Sequence, residues 1–156
     1  RKWPYGHWTD GRLADAIGCL VGNGTLLDVG AGVGEYGTHY SGCSPVRRPV
    51  WFGIDGTPNV TALSAVGPGN SVVSEFNFCS NFGRRLAMRD WVMSIEVGEH
   101  LPRECIPQFV QLLVKHNRFG IVLSWAHHNQ LGKAISARRV RRRSIGCSLF
   151  TGTKWT

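Results

Sequence analysis

Along this chain, apolar positions follow two periods, and the switches between them mark the elements. Leu13, Ala14, Ile17 and Leu20 share one face at helical spacing, which predicts a helix from about 10 to 21 capped by Asp10. Gly22-Asn23-Gly24 reads as a turn, and the short apolar run at 25–29 as a first strand. A short helix is predicted from Glu35, broken by Gly42 or Pro45. Residues 50–55 read as a second strand, and 57–66 as a weak helix with Pro58 in its first turn. Third and fourth strands are predicted at 71–78 and 90–96, then a helix from 102 to about 116 and a fifth strand at 120–125.

Strands that alternate with helices imply a parallel sheet joined by right-handed crossovers. Ligands bind such sheets beyond the carboxyl ends of the strands, near the switch in strand order. Asp28, Asp55, Asn77, Glu96 and Trp125 all fall at predicted strand ends. The strongest local signal is Asp28-Val29-Gly30-Ala31-Gly32-Val33-Gly34, where an apolar run ends in an acid and glycines follow at alternate positions. Glycines there let the chain turn sharply and let a ligand approach the backbone, while the next helix presents its free N–H groups. The carboxylate of Asp28 would repel a pyrophosphate, so a cationic or hydroxyl-rich ligand such as S-adenosylmethionine suits the turn better. Two other readings remain open: the dinucleotide fingerprint matched by Gly32, Gly34 and Gly37, and a glycine-rich turn with no ligand.

Size and charge narrow the classes. The 156 residues suffice for one domain with a real core. No apolar run approaches the roughly 20 residues of a membrane span, and the first eight residues carry no secretory pattern. The lack of an initiator Met reads as a fragment or a processed form. Five cysteines at wide spacing, with no C-x-x-C, argue against a disulfide framework or zinc site, and reduced thiols in the cytoplasm are expected. The formal charge is +8, but seven basic residues and no acid lie in 133–156. Without those seven the body carries only +1. The run Arg138, Arg139, Arg141, Arg142, Arg143 offers phosphate contacts to a nucleic acid or an anionic membrane. A solvated tail is favoured, because no groove-reading motif accompanies the arginines. The organisation expected is therefore a ligand-binding domain at 1–132 and a basic tail at 133–156.

Other residues carry candidate chemistry. Asp55 lies 27 positions after Asp28, about one strand-helix-strand step, and an acid there accepts ribose hydroxyls. Asn77, between Phe76 and Phe78, offers a carbonyl oxygen to an adenine amine, or else caps a turn between two core aromatics. His100 is the candidate general base, with Glu99 or Glu96 to orient it or to contact the ligand; a plain polar loop is the other reading. Trp3, Tyr5, His7 and Trp8 form an N-terminal strap or lid. His127-His128 lacks a third ligand, so no metal is expected. The chain has no P-loop and no nucleophile elbow.

Over about 5–132 the chain resembles the class I S-adenosylmethionine-dependent methyltransferases. The likeness rests on Leu27-Asp28-Val29-Gly30-Ala31-Gly32-Val33-Gly34, on Asp55, and on Ser94-Ile95-Glu96-Val97-Gly98-Glu99-His100-Leu101-Pro102, which is similar to an E-V-x-E-H segment of small-molecule methyltransferases. It implies a Rossmann-like three-layer αβα sandwich with a mainly parallel sheet and S-adenosyl-L-methionine as cofactor. It implies methyl transfer to a small-molecule acceptor, with no membrane and an undefined oligomeric state. Asp28, Gly30, Gly32 and Gly34 would form the cofactor turn, with Gly30 and Gly32 along the methionine part. Asp55 would hold the ribose, Asn77 and Phe78 the adenine edge, and Glu96 the sulfonium region. The chain departs from the family after Trp125, where 31 residues lack the pattern of two further strands. The C-terminal strand pair is expected to be missing or incomplete, with one short strand at most at 145–150. The composition change near 133 suggests an altered reading frame or exon, and apolar surface left at the sheet edge. The alternatives are an inactive methyltransferase-like binding module acting through its basic tail, and an NAD-dependent oxidoreductase. The oxidoreductase is disfavoured by Asp28 and by the lack of a Tyr-x-x-x-Lys pair.

Overall fold

In the computed structural model, the residues described are 9–41, 48–64, 73–80, 86–126 and 150–151. Asp10 opens α1 (Gly11–Val21): its carboxylate accepts the amides of Arg12 at 2.9 Å and Leu13 at 3.3 Å, partners that a helix start otherwise lacks. The chain continues through β1 (Thr25–Val29), α2 (Glu35–Ser41), β2 (Val50–Asp55), α3 (Val60–Leu63), β3 (Ser74–Glu75) and β4 (Arg89–Ser94). Two short 3-10 turns, Gly98–His100 and Arg103–Cys105, lead into α4 (Ile106–Lys115), and β5 (Asn117–Leu123) and β6 (Phe150–Thr151) follow.

The six strands form one sheet in the order β3-β2-β1-β4-β5-β6. The first five run parallel, and β6 runs antiparallel to β5, with Thr151 opposite Gly120 and Phe150 opposite Ile121. Strand order reverses between β1 and β4, which opens a crevice at the ends of those two strands. Alternation along β1 splits the core in two. Leu26 joins Trp51 and Met93 under α1, α2 and α3, packed on Ala14, Ile17, Tyr40 and Val60. Leu27 and Val29 join Ile54 and Val92 on the other face, under Phe109 and Leu113 of α4. This is the expected three-layer α/β sandwich.

Several expectations shift. The third strand shrinks to two residues, because Phe76 leaves the ladder to enter the core after its amide bonds the Asp55 carbonyl at 2.7 Å. The fifth starts three residues early, at Asn117, whose side chain caps α4 by donating to the Leu113 and Val114 carbonyls at 2.9 Å. A short strand at most was expected at 145–150; β6 takes Phe150 and Thr151, and 145–149 lie outside the described residues. Phe119 and Leu123 on β5 are exposed. Reduced thiols throughout were expected, but Cys79 and Cys105 are joined by a disulfide across 26 residues of sequence, a pairing to which spacing gives no clue. Cys19 is a free, exposed thiol. The N-terminal strap, Cys43, His127-His128, Cys147, the 138–143 arginine run and the boundary at 132 lie outside the described residues. Among those described, no helix is long and apolar enough to cross a membrane.

Candidate functional site

The crevice is built from the glycine turn at 30–34. The Gly30 and Ala31 amides both donate to the Ile54 carbonyl, at 2.8 and 3.1 Å, locking the end of β1 onto β2. Gly30 has φ +86, and a Cβ there would lie 2.3 Å from Val97 Cγ2, so the segment after β4 presses directly on the turn. Gly32 has φ +56, and the nearest atom to its would-be Cβ is Glu35 Oε2, at 3.8 Å. That side of the turn is open, leaving a cradle against bare backbone. Asp55 forms the lip. Its Oδ2 accepts the Gly32 amide and its Oδ1 the Thr57 amide, both at 2.8 Å. A carboxylate oxygen takes two donors, so each retains capacity for one more.

Asp28 lies beneath the turn and is buried at 3% exposure. The Trp51 indole donates Nε1–H to its Oδ2 at 3.1 Å. The ring fits only because Gly37 and Gly53 lack side chains: a Cβ at either would come within 2.5 or 2.3 Å of it. Burial pushes the Asp28 carboxyl up to about 8; the Trp51 bond opposes this, and the charges of Asp55 and Glu35 add to it. At neutral pH the proton is therefore favoured, and Asp28 is placed as an internal brace instead of an open carboxylate facing a cation.

Asn77 takes the turn-capping alternative. Its Oδ1 accepts the Cys79 and Ser80 amides at 2.8 and 3.2 Å, which commits both lone pairs. Phe78 lies 3.7 Å from the would-be Cβ of Gly56, forming a flat apolar wall just past Asp55. It also packs edge-on against Phe109 at 5.8 Å. Glu96 has φ +55, a strained setting for a non-glycine residue and one that recurs at functional sites. Ser124 holds it from both ends: its hydroxyl accepts the Glu96 amide at 2.9 Å and donates to Glu96 Oε1 at 2.7 Å. His100 is exposed, with Nε2 4.0 Å from Glu99 Oε1, while Glu99 Oε2 is buried and has no hydrogen-bond partner among the described residues. Gly30, Gly32, Gly34, Asp55 and Phe78 thus gather around the crevice, with Asp28 below it. Trp51, Ser124 and the Cys79–Cys105 bond were not anticipated. Ser124, at the end of the fifth strand, carried a positional signal; the other two arise only from packing. Among the described residues no group of three His, Cys, Asp or Glu is placed to hold a metal.

No family model and no curated protein sequence matches the chain. Solved structures do match, and they show its fold. Magnesium protoporphyrin IX methyltransferase from Synechocystis PCC 6803, crystallised with S-adenosylmethionine, aligns over 76% of this chain and 59% of its own, at TM-score 0.57 and 15% identity. CalS10, an amino pentose methyltransferase from Micromonospora echinaspora, aligns over 74% and 50%, at 0.58 and 20%. TehB from Haemophilus influenzae aligns over 76% and 42%, at 0.58 and 16%. The chain has the class I methyltransferase fold and spans about half the length of these proteins.

Proposed function

We propose that the chain is an S-adenosylmethionine-dependent methyltransferase acting on a small-molecule acceptor, with 1–132 as its cofactor-binding unit. The observation that carries this reading is Asp55, fixed at the lip by Gly32 and Thr57, with acceptor capacity left beside an open glycine cradle. The pattern fits a ribose-bearing ligand: two hydroxyls for Asp55, bare backbone for the amino-acid part, and the Gly56–Phe78 surface for a flat base. The cofactor brings a sulfonium methyl already activated for transfer. The chain's own task is to bind and align.

In this reading Gly30, Gly32 and Gly34 admit the methionine part, and Asp28 braces the turn from below. Asn77 shapes the adenine side by capping its turn, and Ser124 aims the Glu96 carboxylate toward the sulfonium region. His100, open to solvent and near Glu99, takes the proton from the acceptor. The acceptors named for two neighbours, a porphyrin and an amino pentose, support a small-molecule substrate here. The reading places the chain in the cytoplasm.

Isothermal titration with S-adenosylhomocysteine tests it. Wild type should bind saturably, and Asp55→Asn, which keeps the shape but loses the charge, should bind about 10- to 100-fold more weakly, the range for hydrogen bonds to a charged acceptor. Folded wild type that gives no heat, or that binds NAD in preference, overturns the reading.

A further inference from the structure

We propose that the Cys79–Cys105 disulfide is a redox site that governs the cofactor crevice, opened by an external dithiol and thereby releasing the wall at 77–80. The inference rests on the cofactor reading above.

Position is the first argument. Cys79 follows Phe78 in the turn that walls the crevice, and Cys105 immediately precedes α4, with 4.9 Å between their Cα atoms. β3, from which the wall emerges, is two exposed residues long and pairs with β2 at Ile54–Ser74 and Asp55–Glu75. Just before the wall, Phe76 is buried in the core and its amide bonds the Asp55 carbonyl at 2.7 Å, so the chain is anchored at 76 and the disulfide fixes it again at 79. The polar atoms of the wall are turned inward, with Asn77 Oδ1 bonding the Cys79 and Ser80 amides. The cross-link joins it to α4, where Phe109 meets both Phe78 at 5.8 Å and Trp125 at 6.1 Å. The disulfide therefore pre-organises the surface that faces the base.

Chemistry is the second argument. Cys79 is partly exposed, whereas Cys105 is buried at 4% exposure. Cys105 is the N-cap of the ten-residue α4 and makes no side-chain capping bond. Accessibility decides which sulfur is attacked: a dithiol reaches Cys79 Sγ, and the buried Cys105 is the leaving group. One thiolate of the dithiol attacks Cys79 Sγ and forms a mixed disulfide. The electron pair of the old S–S bond leaves on Cys105 Sγ. The second thiol of the reductant gives up its proton and attacks its own sulfur in the mixed disulfide, expelling Cys79 as a thiolate. Both protein thiolates take protons from water. The protein gains two electrons and two protons, and the dithiol becomes a disulfide. In a compartment that keeps thiols reduced, a disulfide of this kind is typically transient or redox-sensing.

The test is S-adenosylhomocysteine titration of the full chain, oxidised and then treated with dithiothreitol, with free thiols identified by alkylation and mass spectrometry. Reduction should weaken binding about tenfold, the scale of lost pre-organisation, and reoxidation should restore it. The Cys79→Ser/Cys105→Ser double variant should bind like the reduced form whether or not reductant is present. Amide exchange at Cys79 and Ser80 should quicken on reduction while β1 and β4 stay protected. Unchanged affinity with both cysteines alkylated overturns the proposal and leaves the cofactor reading standing. A reduced chain that no longer folds, with β1 and β4 as unprotected as Cys79 and Ser80, makes the bond a general staple and also overturns it. No binding in either form overturns both readings.

Discussion

Asp28 couples the crevice to pH. Its carboxyl is pushed up to about 8 in the folded chain from an ordinary 3.8, so the native state holds that proton more tightly than the unfolded one. The stability this lends is full below 3.8 and is lost as pH rises toward 8, at up to about 1.4 kcal/mol per pH unit. Thermal unfolding of wild type should therefore weaken between pH 5 and 8, and Asp28→Asn should flatten that slope. Parallel curves would show that the group does not titrate with folding. Gly30 makes a second residue-scale prediction. Gly30→Ala meets an unfavourable φ, costing about 1–2 kcal/mol, and in addition a clash with Val97. Val97→Ala in the same chain should relieve most of the clash, leaving the φ cost and a tight 3.1 Å contact with the remaining Cβ at position 97, as a double-mutant cycle in urea would read. At this scale the sequence was informative where chemistry is local. The glycines and Asp55 announce themselves by spacing. The indole over Asp28 does not, because alternation places Trp51 on a face without saying what its ring reaches.

Elements stand or fall on their ends. Asp90 ties the start of β4 to the start of β1: its Oδ2 accepts the Thr25 amide and hydroxyl at 2.8 and 2.9 Å, and its own amide donates to Thr25 Oγ1 at 2.8 Å. The Thr25 amide, then its hydroxyl, hold the Asp90 carboxyl below its usual range, with Arg118 and Arg89 adding. The sign is opposite to that of Asp28. This contribution is full above 3.8 and is lost as pH falls through the folded value. Acid unfolding followed by circular dichroism should shift to higher pH in Thr25→Val, and a curve unmoved from wild type would deny the clamp. Length explains which elements the sequence foretold. α1, β1, β2, β4 and α4 carry enough periodic positions to be read directly. β3 and α3, expected at 71–78 and 57–66, are present but much shorter, because two strand residues and a single helical turn are less than the periods that would set their bounds.

For the whole molecule, a parallel sheet with a crevice at a reversal of strand order follows from alternating strands and helices, but the order β3-β2-β1-β4-β5-β6 itself did not follow from the sequence. The long-range bond did not, because two cysteines 26 residues apart look no different from unpaired ones until the sheet brings them together. In the chain-entropy account a loop of that length is worth about 3.5 kcal/mol at 25 °C. Urea unfolding with and without reductant should show a difference of that order in unfolding free energy, a midpoint shift of about 1–3 M, and coincident midpoints would mean that the unfolded chain is already constrained. The bond also changes what kind of object the polypeptide is. One end of it lies on the β1–β3 half of the sheet and the other at the helix that leads into β5, so the backbone between 79 and 105 is one arm of a closed ring. A protease that cuts that arm once makes two peptides but still one molecule, which would migrate as a single band until its sulfurs are reduced.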